Sequence, residues 1–230
     1  ISGDKVKQNL KQTFGPILWT QYTLHRGIMK MTAQIAPMGK MNKEKVYLEL
    51  LKKDKWKKVQ SSGIHEYAST AHFRIENWDD KQEIPYRVIF RDGDSIGEWK
   101  GTIRKDPKGK NTIKLAAMSC MKDGAFPNHY LQQNVIAQDP DILFFAGDQL
   151  YEGNGGFGIV RAKKLADVPR ASLNYLQKYW IFGWSFRDVM KDRPSVVIPD
   201  DHDVYHGNIW GADGIATPKG GIHVDVITKQ

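Results

Sequence analysis

Two patterns of apolar and polar positions divide the chain. From residue 25 to 107, apolar residues come in short runs: HRGIMKMTAQIAPM, KVYLELLK, WKKVQS, TAHFRIENW, PYRVIFRD and EWKGTIRK. These runs are rich in β-branched and aromatic types and partly alternate with polar residues. Turn signals lie between them: Pro37-Met38-Gly39, Lys53-Asp54-Lys55, Asp79-Asp80 and Asp92-Gly93-Asp94. Short strands at such spacing predict a small antiparallel sandwich. Its core candidates are Tyr47, Leu48, Leu50, Phe73, Ile75, Tyr86, Val88 and Phe90. Trp56, Trp78 and Trp99 read as core packing, with a carbohydrate or partner surface as the alternative.

Residues 1–24 have a weakly helical start, a Gly15-Pro16 break and an apolar run, which reads as an N-terminal arm or a first strand. Asp106-Pro107-Lys108-Gly109-Lys110 breaks structure and marks a domain boundary. After it the pattern changes. Ile113–Met118 and Asp141–Ala146 are continuous apolar runs, as in buried strands. Between them, His129–Gln138 reads as a helix, with Asn128 as N-cap and Asp139-Pro140 as its stop. Ser172–Lys191 is the longest helical pattern. Leu173, Leu176, Tyr179, Trp180, Gly183, Phe186, Arg187 and Met190 fall on one face of it. Strand Ser195–Ile198 follows. The predicted fold class is α/β (α+β), with an arm at 1–24, a β-sandwich at 25–110 and an α/β domain at 111–230.

Composition changes this picture little. The chain has 230 residues and a net charge of +8. Lys40–Lys58 alone contains eight lysines, so solvated faces explain much of the charge. A field attracting phosphate esters, acidic polymers or nucleic acid is the functional alternative, but no nucleic-acid motif supports the last. No apolar run is long enough to predict a membrane-spanning helix. ISGDKVKQNL has no signal-peptide pattern. With Cys120 as the lone cysteine, no intrachain disulfide is expected. Gly153-Asn154-Gly155-Gly156-Phe157-Gly158 matches a dinucleotide-binding spacing. It does not directly follow a strand, however, and Asp148 and Glu152 would repel a pyrophosphate. A mobile loop at the rim of a site is the better reading.

The chemistry gathers where the three later strands end: Ser119-Cys120, then Gly147-Asp148-Gln149-Leu150-Tyr151-Glu152, then Asp200-Asp201-His202-Asp203. In parallel sheets, ligands bind outside the carboxyl ends of strands. Thiolate, carboxylate, phenolate and imidazole together make a donor set suited to a transition metal. Taken singly, each cluster also fits a capped or acidic turn. His202 is either a ligand or the acid that protonates a leaving alkoxide. Two metals close together would orient a phosphate and activate a hydroxide. No G-x-S-x-G elbow supports a serine hydrolase.

The order SC … GDxxYE … DDHD, with DPDILFFAGDQLYE and RPSVVIPDDHDVYHGNIWG around it, resembles the alkaline phosphatase D (PhoD-like) metallophosphatases of the calcineurin-like phosphoesterase superfamily. The resemblance covers most of residues 25–211. It implies a fibronectin- or immunoglobulin-like sandwich followed by the first half of a layered α/β/β/α metallophosphatase domain. It implies iron ligation by Cys120 and Tyr151, a bridging Asp148, metal contacts from Asp200 and Asp201, and His202 as proton donor. It implies iron and calcium as cofactors, hydrolysis of phosphate mono- or diesters by a metal-held hydroxide, and an extracellular or periplasmic location. The expected partners are a phosphate-ester substrate and the C-terminal remainder of the same protein. Two departures stand out. Many members carry an Asn pair soon after the D-D-H motif, where this chain has His206-Gly207-Asn208. The family's last metal ligands would fall beyond Gln230, so the chain is expected to be an N-terminal portion. The alternative is a non-catalytic binding or structural protein that retains the fold.

Overall fold

Alternation in the first half forms seven strands: β1 (Ile17–His25), β2 (Ile28–Ile35), β3 (Val46–Lys52), β4 (Lys55–Ser62), β5 (Thr70–Ile75), β6 (Ile84–Asp92) and β7 (Ser95–Ile103). The computed structural model describes residues 15–39, 44–92, 95–155 and 157–204. The first fourteen residues of the expected arm, and the segment from Tyr205 onward with His206 and Asn208, lie outside the described residues. The seven strands make two antiparallel sheets, β1-β2-β5 and β4-β3-β6-β7. Inward residues of both meet in one core, Met31, Ile35 and Phe73 against Leu48, Val88 and Phe90.

Strand geometry sends neighbouring side chains to opposite faces, and this corrects one core expectation. Val46, Leu48 and Leu50 point inward, so Tyr47 points outward, where Lys58 Nζ lies 5.0 Å from its ring centroid. Ile75 is only partly buried. The three tryptophans separate. Trp78 is core. Trp99 packs against the core edge under Arg187, and Trp56 lies beneath Arg87 on the outer face of its sheet.

The second half supplies β8 (Leu115–Met118), α1 (His129–Gln138), β9 (Ile142–Ala146), α2 (Val168–Met190) and β10 (Ser195–Ile198). The strands pair in parallel in the order β10-β9-β8. The whole is therefore a mixed α/β structure with several antiparallel strands and few helices. Helix α1 has the predicted bounds. Asn128 takes a left-handed conformation without capping it, and its amide instead reaches Ser185 Oγ at 3.4 Å. Helix α2 begins a turn before the predicted Ser172, because Pro169 is tolerated in a first helical turn.

Helix α2 is buried on two sides, which a single apolar stripe does not describe. Phe182 and Phe186 pack edge-on against Phe145 of β9, with ring centroids at 4.8 and 5.4 Å. On another side Trp19 of β1 lies over Gly183, where an added Cβ would fall 2.3 Å from the indole. Leu173, expected on the buried stripe, is 53% exposed. Strand β1 serves both cores: Ile17 and Tyr22 face the first, Leu18 and Trp19 the second. Both helices cover one face of the parallel sheet. On the other face Leu115, Val196 and Ile198 are exposed. Among the described residues, no helix is long and apolar enough to cross a membrane.

Polar contacts fasten the halves. Tyr86 Oη donates to the Lys191 carbonyl at 3.0 Å, and the Thr102 amide to Asp192 Oδ1 at 2.8 Å. Asp139, at the end of α1, accepts from Arg104 and Arg193, each at 2.8 Å. The Arg104 guanidinium, with Arg193 adding to it, holds the Asp139 carboxyl below its ordinary value. A carboxyl depressed in the fold stabilises above its unfolded pKa, near 4, and that contribution disappears as pH falls through the lower folded value. Asp139 is 63% exposed, so solvent screening limits the effect to less than about 1 kcal/mol. Asp139→Asn should therefore be slightly less stable at pH 7 and lose less stability than wild type between about pH 4 and pH 2. Thermal melts across that range check this, and identical acid limbs would contradict it.

Candidate metal centre

Parallel pairing brings the ends of β8, β9 and β10 to one edge, with β9 central. The loops beyond them are stitched together by their main chains. The Cys120 amide donates to the Gly147 carbonyl at 3.3 Å, and the Met121 amide to the Asp148 carbonyl at 2.9 Å. Cys120 and Asp148 are both left-handed, with φ of 56° and 55°. Such conformations cost roughly 1–3 kcal/mol each and collect at functional sites.

Asp203 anchors this arrangement. Its buried carboxylate accepts from the amides of Asp148, Gln149, Leu150 and Asp200, at 2.7, 2.7, 3.2 and 2.9 Å. It thereby ties the turn after β9 to the turn after β10. Burial pushes its carboxyl above the ordinary value despite these four donors. Gly147 completes the joint. It is left-handed, and a Cβ there would fall 2.4 Å from that of Asp200.

The predicted donors mostly converge. Cys120 Sγ lies 3.8 Å from Asp148 Oδ2. Tyr151 lies close enough to Cys120 and Asp148 for both to raise its hydroxyl pKa, and its ring centroid is 4.4 Å from that of His202. Donor atoms of Asp148, Asp201 and His202 all lie within 4.8 Å of one another. Asp200 is outside that triad. Its Oδ1 accepts from the Asp201 amide at 2.9 Å, closing the local turn.

The electrostatics of the cluster favour a cation. Asp148 is 9% exposed, and its Oδ1 is buried without a hydrogen-bond partner. A buried carboxylate oxygen left unpaired is costly, and a bound cation would remove that cost. Burial, reinforced by Cys120 and Asp148, pushes the Tyr151 hydroxyl above its ordinary pKa. Adjacent positive charge would act in the opposite sense. The donors present, a thiol, a phenol, carboxylates and an imidazole, fit a transition ion.

Two contributors were missed in the sequence. Glu152 Oε2 lies 2.5 Å from His202 Nδ1. Burial lowers the His202 pKa, but Glu152, then Asp148 and Asp201, raise it more, leaving it above the ordinary value. The signal for Glu152 was its place beside Tyr151. For Asp203 it was the third acid of a run too dense to be only a turn. The glycine-rich segment does not open a helix, since α2 begins only at Val168.

No family model matches the chain, and no curated protein matches it significantly. Solved structures that match include the apo structure of Bacteroides uniformis beta-glucuronidase 3, at 7% identity and a TM-score of 0.30, over 85% of this chain. The chain spans 24% of that protein's length, and so weak a likeness carries no argument about fold or activity.

Proposed function

We propose that this chain carries part of a metal-dependent phosphoesterase centre acting on phosphate mono- or diesters. The observation that supports it most is the buried, unpaired Oδ1 of Asp148, a carboxylate that lies close to Cys120, Tyr151, Asp201 and His202. Cys120, Asp148 and Tyr151 would hold an iron ion, and Asp148 and Asp201 would contact a second ion, calcium by the family resemblance. Bound metal supplies Lewis acidity toward phosphoryl oxygens and a nucleophile at neutral pH. The carboxylates of Asp148, Glu152 and Asp201 would otherwise repel an anionic ester. A layered α/β/β/α arrangement belongs to the same proposal. The apolar sheet face of Leu115, Val196 and Ile198 is suited to receive a second sheet. A location outside the cytoplasm belongs to the proposal as well.

His202 acts as proton donor in this reading. His202 Nδ1–H donates to the Glu152 carboxylate, which leaves Nε2 for the departing alkoxide. Glu152 raises the His202 pKa against the lowering by burial, in the direction that favours the protonated ring an acid needs. His202→Ala should lower turnover of alkyl phosphates about 100- to 10,000-fold. It should affect an aryl ester with a nitrophenolate leaving group far less, with metal content unchanged. Equal loss of metal and turnover would make His202 a ligand instead. No stoichiometric transition metal and no chelator-sensitive hydrolysis in the wild-type protein would sink the enzymatic reading in favour of a non-catalytic one.

A further inference from the structure

Lys178 lies within the apolar part of α2 and is 3% exposed. Lysine at such burial is rare unless its ammonium is fully paired. Here the ammonium is well paired: it carries three donors, and three oxygens accept from it. They are the main-chain carbonyl of Glu152, the carbonyl of Gly158 at 2.7 Å and Asn174 Oδ1 at 3.2 Å. Asn174 sits one helical turn before Lys178 and is itself buried. The ammonium therefore grips both ends of the segment between Glu152 and Gly158 from beneath. One of those ends carries the carboxylate that meets His202 Nδ1 at 2.5 Å.

We propose that Lys178 is a positioning residue: bonded to the main-chain oxygens of Glu152 and Gly158, it fixes the Glu152 carboxylate against His202 Nδ1 and so sets which imidazole nitrogen faces the substrate. This rests on His202 serving as proton donor. A glycine-rich segment has little conformational preference of its own, so the position of Glu152 depends on what holds its main chain. A buried charge bonded to carbonyl oxygens is a strong and directional tether. Its removal leaves those carbonyls unsatisfied, and the segment must move toward solvent to recover partners.

The test reads the imidazole directly. Nitrogen NMR of His202 in the metal-free chain, at a pH where the ring is neutral, reports which nitrogen carries the proton. Wild type should show Nδ1–H, bonded to Glu152. Lys178→Met, which keeps length and apolar packing, should move His202 toward the mixture of a free imidazole. Glu152→Gln should do the same, and the double variant should add nothing further. In metal-loaded enzyme, Lys178→Met should lower kcat about 10- to 100-fold with KM little changed. Should Lys178→Met not fold, Asn174→Ala removes one of its acceptors and should shift the tautomer in the same direction by less. An unchanged Nδ1–H signature in a folded Lys178→Met, or in Asn174→Ala if that is the only variant that folds, overturns the proposal. Because the tautomer is read without metal, it decides the role of Lys178 even if the protein hydrolyses no phosphate ester.

Discussion

Asp148→Asn is expected to cost the protein its metal and its turnover together while leaving the fold intact. Asparagine accepts the left-handed conformation that Asp148 adopts, with φ of 55°, better than most residues. The backbone joint held by Asp203 is therefore preserved. What disappears is the charge, on a carboxylate that lies both 3.8 Å from Cys120 Sγ and within the Asp201–His202 triad. If metal charge stabilises the transition state by several kcal/mol, its loss means a fall of about three orders of magnitude or more, at roughly 1.4 kcal/mol per decade. Chelation of wild type should give the same deficit, and metal should restore wild type but not the variant. The melting temperature carries an independent sign. In chelator, Asp148→Asn should be at least as stable as wild type, because it removes a buried, unpaired anionic oxygen. A variant with full metal content and turnover would refute Asp148 as a ligand. A variant less stable than wild type without metal would show that Oδ1 has a partner in the fold.

Asp203→Ala should have the largest effect on stability. Four amides lose a buried charged acceptor, and none gains an evident substitute. Breaking one partner of a buried charged arrangement costs about 3–5 kcal/mol. At this chain length that corresponds to a fall in melting temperature of about 10 °C. Asp203→Asn keeps one acceptor oxygen and should lie between alanine and wild type. Both should lose metal affinity, since the Asp148 amide is one of the four donors. A melting temperature for Asp203→Ala within 2–3 °C of wild type, with metal binding retained, would mean that the two turns are held by something else.

These two aspartates also mark how much the sequence disclosed. Asp148 was visible as a carboxylate just past a buried strand, and Cys120, Tyr151, Asp201 and His202 by the same logic. Short apolar runs identify parallel strands locally, and parallel strands place their ends together by topology. Asp203 was part of a visible cluster, but its role was hidden. Whether an acid binds metal or caps amides depends on where donors from another loop arrive. Glu152 was hidden for a similar reason, because its partner His202 is 50 residues away. Lys178 gave no signal, since a lysine among leucines and aromatics reads as the solvent side of a helix.

The sequence alone determined most of the strands, both described helices, the mixed α/β character and the shared edge where the donors gather, because periodicity, proline stops and turn residues act over a few positions. The tertiary structure decided the rest. It turned Tyr47 and Leu173 outward, buried α2 on two sides, and gave Asp203, Glu152 and Lys178 their partners. Those outcomes rest on contacts between segments distant in the chain, and desolvation at such contacts assigns each polar group its role.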